Sequence, residues 1–129
     1  MKIKVLSFAI VFFSLTSCLK NQTEGVKVVD VVKYENKMKQ PDVQLIDVRT
    51  PEEFREGHLE KAINIDITAD NFDTKVATLN KEKPIMVYCK SGGRSARASA
   101  RLKDLGFKNI TDLDGGIMNW KSENKKIIE

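Results

Sequence analysis

Short apolar runs, separated by longer stretches of helical period, constrain this chain more than any other feature. The runs V-K-V-V (26–29), Q-L-I-D-V (44–48), A-I-N-I (62–65), P-I-M-V-Y (84–88) and N-I-T-D-L (109–113) read as strands, rich in β-branched residues and bounded by polar or turn residues. Between them, Asp30 is placed to cap a helix that carries Val31, Val32, Tyr34 and Met38 on one face. Residues 70–79 give a weakly amphipathic helix through Phe72, Val76 and Leu79. Residues 95–105 give an alanine-rich helix closed by Gly106, where a left-handed cap is expected. Residues 117–122 predict a last short helix, and the polar end 121–129 reads as solvated and fraying. Strands that are apolar throughout and alternate with helices predict an α/β domain: a five-stranded, mainly parallel sheet with helices on both faces. Sites in such sheets gather outside the carboxyl ends of the strands. Cys89 stands at such an end, and Asp47 and Arg49 stand at another.

The first residues follow a different logic. Lys2 and Lys4 precede V-L-S-F-A-I-V-F-F-S-L (5–15), the layout of a secretory signal and too short to span a bilayer as a stable helix. No polar stripe of helical period accompanies it, which argues against a buried helix. The stretch ends L-T-S-C (15–18), which resembles the lipobox of bacterial lipoproteins, whose cysteine is acylated and becomes the new N-terminus. On this reading residues 1–17 are a lipoprotein signal peptide, Cys18 is the lipidated residue, 18–24 is a polar tether and 25–129 is the folded domain. Two or three acyl chains anchor durably, since each buried methylene contributes about 0.8 kcal/mol. The expected location is the bacterial cell envelope, with the domain held on the periplasmic or surface face of a membrane.

Loss of the leader with Lys2 and Lys4 leaves 112 of the 129 residues, enough for one domain, and lowers the formal net charge from +4 to about +2. Basic and acidic residues alternate, and no aromatic-basic stripe interrupts them, so nucleic acid is not an expected partner. The chain has two cysteines. With Cys18 acylated, Cys89 has no intrachain disulfide partner, and a lone thiol in an exported protein is a candidate reactive group.

The segment V-Y-C-K-S-G-G-R-S (87–95) carries the chemistry. Backbone N–H groups of a glycine-rich loop that opens into a helix can converge on one point, and glycines permit the torsions this requires. The helix start adds the positive end of its dipole, and Lys90 and Arg94 add full charges. Each term favours thiolate over thiol at Cys89, and the same cradle binds the anion that the thiolate attacks. An inert buried cysteine leaves the G-G-R-S that follows unexplained. Cysteine-dependent phosphatases place five residues between cysteine and arginine, whereas four separate Cys89 from Arg94. His58 is the single histidine and reads as a scaffold residue rather than a base. One free cysteine and one distant histidine make no metal site.

Four segments together resemble the single-domain rhodanese family of sulfurtransferases: V-Q-L-I-D-V-R-T-P-E-E-F-R-E-G-H-L (43–59), A-I-N-I (62–65), V-Y-C-K-S-G-G-R-S (87–95) and L-D-G-G-I-M-N-W (113–120). The resemblance implies a rhodanese-like fold over residues 25–129 and a ping-pong reaction without a cofactor. Cys89 would take a sulfane sulfur from a donor such as thiosulfate as a persulfide and pass it to a cyanide or thiol acceptor. Lys90, Ser91, Gly92, Gly93, Arg94 and Ser95 would hold the persulfide and donor, with Lys90 and Arg94 attracting a small anionic donor. Asp47 and Arg49 resemble the family's buried D-x-R pair and would support the loop. Glu53, His58 and Trp120 would be scaffold. The chain is expected to act as a monomer. A non-catalytic binding or sensing domain, or a persulfide carrier in a thiol redox relay, is the alternative; the intact loop favours the enzyme. Lys61 departs from the family, which commonly has glycine or asparagine there, and a left-handed conformation would cost lysine about 1 kcal/mol.

Overall fold

The structure is a computed structural model that describes residues 25–129; the signal peptide, Cys18 and the tether expected from the sequence lie outside the described residues. Ten elements follow one another: β1 (Val26–Val29), α1 (Val31–Met38), β2 (Gln44–Asp47), α2 (Pro51–Glu56), β3 (Ile63–Asn64), α3 (Phe72–Val76), β4 (Ile85–Tyr88), α4 (Gly93–Asp104), β5 (Ile110–Leu113) and α5 (Gly116–Ser122). The strands form one sheet in the order β1-β5-β4-β2-β3, and each pairing is parallel. β4 occupies the centre, which is why all four of its residues are buried.

Successive side chains of β4 point to opposite faces and feed two cores. Ile85 and Val87 pack with Phe72 and Val76 of α3 and Ala98 and Leu102 of α4. Met86 and Tyr88 pack with Val31 and Tyr34 of α1, Ile117 and Trp120 of α5, and Leu59. Each fully buried aliphatic or aromatic side chain contributes about 1.5–3 kcal/mol, so both faces hold the sheet and the helices follow the apolar pattern.

Capping decides where several helices begin. The Asp30 carboxylate accepts the Lys33 N–H at 2.8 Å and starts α1 as expected. Val32, expected on the apolar face, is 59 % exposed, because α1 turns Val31 and Tyr34, one turn apart, toward the sheet. The segment 51–56, to which the sequence pattern assigned no element, is helical. Thr50 caps it by accepting the Glu53 N–H, and Pro51 fits its first turn. None of its residues is fully buried, so no apolar period announced it. α3 is shorter than the expected 70–79, since Asn71 offers no side-chain cap, though Leu79 still packs on the core. α4 starts two residues earlier than expected, and Gly106 beyond it has φ +98°.

Two backbone details bear on the sequence reading. Lys61 does adopt φ +67°, the strained conformation expected at that departure. The chain end does not fray. His58 and Ile128 exchange backbone hydrogen bonds of 2.9 and 2.8 Å in an antiparallel bridge, and Ile127 packs on the α1/α5 core. Two apolar residues near the end of a polar tail were the signal for this docking.

Candidate active site

At the carboxyl end of β4 the chain leaves the sheet at Cys89, which is 1 % exposed. Its Sγ accepts the Gly92 N–H at 3.1 Å and lies 3.4 Å from Ser95 Oγ, to which the thiol donates. The Ser95 hydroxyl in turn donates to the Gly92 carbonyl at 3.2 Å. Gly92 has φ +119°, a left-handed torsion that turns the loop directly into α4, and a side chain there would meet nothing within 4 Å. Glycine is therefore required at 92 for its backbone rather than for space. The first amides of α4 have no acceptor within the helix and carry the positive end of its dipole. The loop amide that reaches the sulfur is that of Gly92, at the start of α4.

The loop is held from below by α5. The Ile117 N–H donates to the Cys89 carbonyl at 2.9 Å and the Met118 N–H to the Lys90 carbonyl at 3.1 Å. Gly116 makes this approach possible: a Cβ there would sit 2.6 Å from the Cys89 oxygen and 2.5 Å from the Lys90 oxygen. The sequence reading matched L-D-G-G-I-M-N-W without giving its glycine this task.

The rim differs from expectation. Arg94 is not a free cation: its guanidinium grips Glu53 with two bonds, Nη1 to Oε1 at 2.6 Å and Nη2 to Oε2 at 2.9 Å. The Thr50 hydroxyl also donates to Glu53 Oε1 at 3.2 Å. Hydrogen bonding from Arg94 outweighs partial burial and holds the Glu53 carboxyl down at about 2. Glu53 is scaffold, as expected, but scaffold of the active loop itself. Lys90 and Ser91 are exposed, and Gly93 opens to solvent. Lys90 forms no ion pair among the described residues.

Asp47 and Arg49 sit at the end of β2, beside β4. Arg49 Nη2 donates to Asp47 Oδ2 at 2.6 Å and to the Gly57 carbonyl at 2.6 Å, and the Arg49 N–H donates to Asp47 Oδ1 at 2.9 Å. The Asn64 amide spans the Asp47 and Arg49 carbonyls at 3.0 and 2.9 Å. The guanidinium lies 5.7 Å over the ring of Tyr88, the residue before Cys89. His58 is spent on scaffold: its Nδ1 bonds the Phe54 carbonyl at 2.9 Å and its ring stacks on Phe54 at 3.9 Å. Trp120 is buried with its indole N–H on the Lys126 carbonyl at 2.9 Å. Among the described residues no group of three histidine, cysteine, aspartate or glutamate side chains is placed to hold a metal.

One acidic residue escaped the sequence reading. Asp112 lies in β5 opposite Val87 of β4 and is 3 % exposed. Its Oδ1 has no hydrogen-bond partner, and burial pushes its carboxyl up to about 7. The signal was an aspartate inside the apolar strand I-T-D-L, since buried charge is costly wherever it lacks a partner.

Comparison with known proteins follows the same geometry. The rhodanese-like domain family model matches residues 30–123. The chain is 31 % identical over 119 residues to thiosulfate sulfurtransferase 18 of Arabidopsis thaliana, covering 82 % of this chain and 88 % of that protein. It is also 33 % identical over 99 residues to a tRNA uridine(34) hydroxylase of Pelagibacter ubique, covering 76 % of this chain but only 33 % of that longer protein. Its structure resembles the crystal structure of a rhodanese-related protein from Thermoplasma volcanium, with a TM-score of 0.70 and 30 % identity over 79 % of this chain and 97 % of the other. A parallel five-stranded sheet with a cysteine loop at its central strand, and a family model spanning most of that sheet, place this chain in the rhodanese-like domain family.

Proposed function

We propose that this protein is a sulfurtransferase that carries a sulfane sulfur on Cys89 as a persulfide. The observation that carries this reading is the environment of one atom: Cys89 Sγ, at the end of the central strand, accepts the Gly92 N–H at the start of α4. A thiolate there is stabilised by backbone dipoles and needs no histidine base. With thiosulfate as donor, the thiolate attacks the outer sulfur, a new S–S bond forms, and the old bond breaks as sulfite leaves with its electron pair. The terminal sulfur of the resulting persulfide is then attacked by cyanide or a thiolate, and Cys89 departs again as thiolate. Lys90 is the rim cation that draws an anionic donor, because Arg94 is engaged by Glu53. The L-T-S-C sequence ending at Cys18 supports a lipid-anchored position at the cell envelope.

Intact-mass measurement of the domain after incubation with thiosulfate tests the chemistry. The expected result is a gain of one sulfur atom that cyanide removes and that Cys89→Ser abolishes. Absence of any such adduct with thiosulfate or low-molecular-weight persulfides would sink the reading.

A further inference from the structure

The docked C-terminal segment builds one wall of a groove. Trp120 donates its indole N–H to the Lys126 carbonyl at 2.9 Å, Lys125 reaches Glu35 of α1 at 3.0 Å, and the His58–Ile128 bridge fixes the end of the chain. Between this segment, α1, the start of β2 and residues 60–61 lies a groove of about 460 Å³. Small-molecule sites typically span about 300–1,000 Å³. Residues 89–95 take no part in its lining. Val43 and Leu45 place it at the amino end of β2, whereas Cys89 stands at the carboxyl end of β4 in the same parallel sheet. It is a second site, separate from the active loop.

Its floor is apolar: Met38, Val43, Leu45 and Trp120 line it, and the Trp120 donor is already consumed by Lys126. A polar body placed there would lose its hydration without recovering a partner. Its rim is charged. Glu35 is neutralised by Lys125 and, at 4.0 Å, by Lys39. Lys61 and Lys126 are exposed and form no ion pair among the described residues. Lys61 holds its place at a cost, since its φ of +67° is a torsion that glycine adopts freely. Asn124 lines the same groove with φ +56°. Two of the three left-handed non-glycine residues among the described residues therefore meet at one cavity, and strain of this kind gathers where ligands are held.

We propose that this groove binds a small amphipathic carboxylate, its apolar body on Met38, Val43, Leu45 and Trp120 and its charge toward the Lys61 and Lys126 ammonium groups. The two unpaired cations call for an anion. Glu60 stands on the same rim, so a single carboxylate suits it better than a polyanion. The site is independent of the chemistry at Cys89 and does not rest on the sulfurtransferase reading.

Trp120 is the chain's one tryptophan, so its indole N–H gives a single nitrogen-15 resonance that reports on the groove. Titration with 4-phenylbutanoate should move that resonance saturably, with a dissociation constant on the order of 1 mM, as expected for a ligand of about twelve heavy atoms. 4-Phenylbutanamide has the same body without the charge and should bind about three- to tenfold more weakly. Lys61→Gly removes one cation and relaxes the torsion. Its melting temperature should rise while its affinity for the carboxylate falls about threefold, whereas a lysine without a ligand would give the first change alone. Adding Lys126→Gln should bring the carboxylate down to the affinity of the amide and leave the amide unchanged. Cys89→Ser should bind like the wild type. Equal affinity for carboxylate and amide in the wild type would overturn the proposal. So would a carboxylate affinity that survives both lysine substitutions, or no saturable movement up to about 10 mM.

Discussion

β2 and β4 are hydrogen-bonded neighbours whose carboxyl ends emerge side by side, at Asp47 and at Tyr88. The end of β2 is closed: Asp47 and Arg49 consume each other's charge, and the remaining donors and acceptors go to Gly57 and Asn64. The end of β4 is open: Cys89 has a backbone amide and a serine hydroxyl as partners, and its loop continues into a helix start. Both ends are buried. Burial alone therefore does not separate scaffold from chemistry in this molecule; what separates them is whether the strand end carries two charges that neutralise each other or a nucleophile held by a backbone amide.

The closed end should be the more expensive to open. Arg49→Ala strips Asp47 of its guanidinium and leaves a fully buried carboxylate held by one backbone N–H. Removing one partner of a buried pair costs about 3–5 kcal/mol, a large part of a small domain's stability. Urea unfolding should show that loss as a lower midpoint at unchanged slope. A change under about 1 kcal/mol would mean that the pair is no better than a surface ion pair and that the contrast with β4 is false.

The open end breaks from below. Gly116→Ala puts a Cβ against two backbone oxygens that cannot rotate away, at a residue with φ +61°. Overpacking and the left-handed torsion together cost on the order of 2–4 kcal/mol. Because the displaced atoms are the Cys89 and Lys90 carbonyls, sulfur loading should fall further than stability does. Loss of loading in proportion to the unfolded fraction alone would show that α5 does not position the loop.

How much of this was legible follows from what each residue does. The strands and α4 could be read because their side chains bury in a period, and Cys89 because glycines and cations surround it. α2 could not, since its start is written in capping residues while none of its side chains is fully buried. Arg94 looked like a substrate-facing cation because the Glu53 that neutralises it is 41 residues away. Asp112 went unnoticed because a single polar residue in a strand has no spacing to betray it; what marks it is burial in β5 between its neighbours β1 and β4. Local patterns report elements and caps. Pairings between distant charges are a property of topology.

Glu53→Gln is the gentlest way to sharpen the comparison, since it loosens the open end's rim without touching its thiol. Arg94 lowers the Glu53 carboxyl to about 2, below the usual value near 4.3. The ion pair therefore adds stability that is fully present above that ordinary value and is lost as pH falls through about 2. The Glu53 side chain is 27 % exposed and partly screened, so the contribution near neutral pH should be about 1 kcal/mol. Thermal melts of the wild type and Glu53→Gln should differ by that amount at pH 7 and converge in strong acid. Glutamine also leaves the Arg94 charge uncompensated beside Lys90, so the KM for an anionic donor should fall while stability drops. A KM that rises instead would mean that the pair's task is to hold the loop in shape, and that the rim charge available to the donor was never limiting.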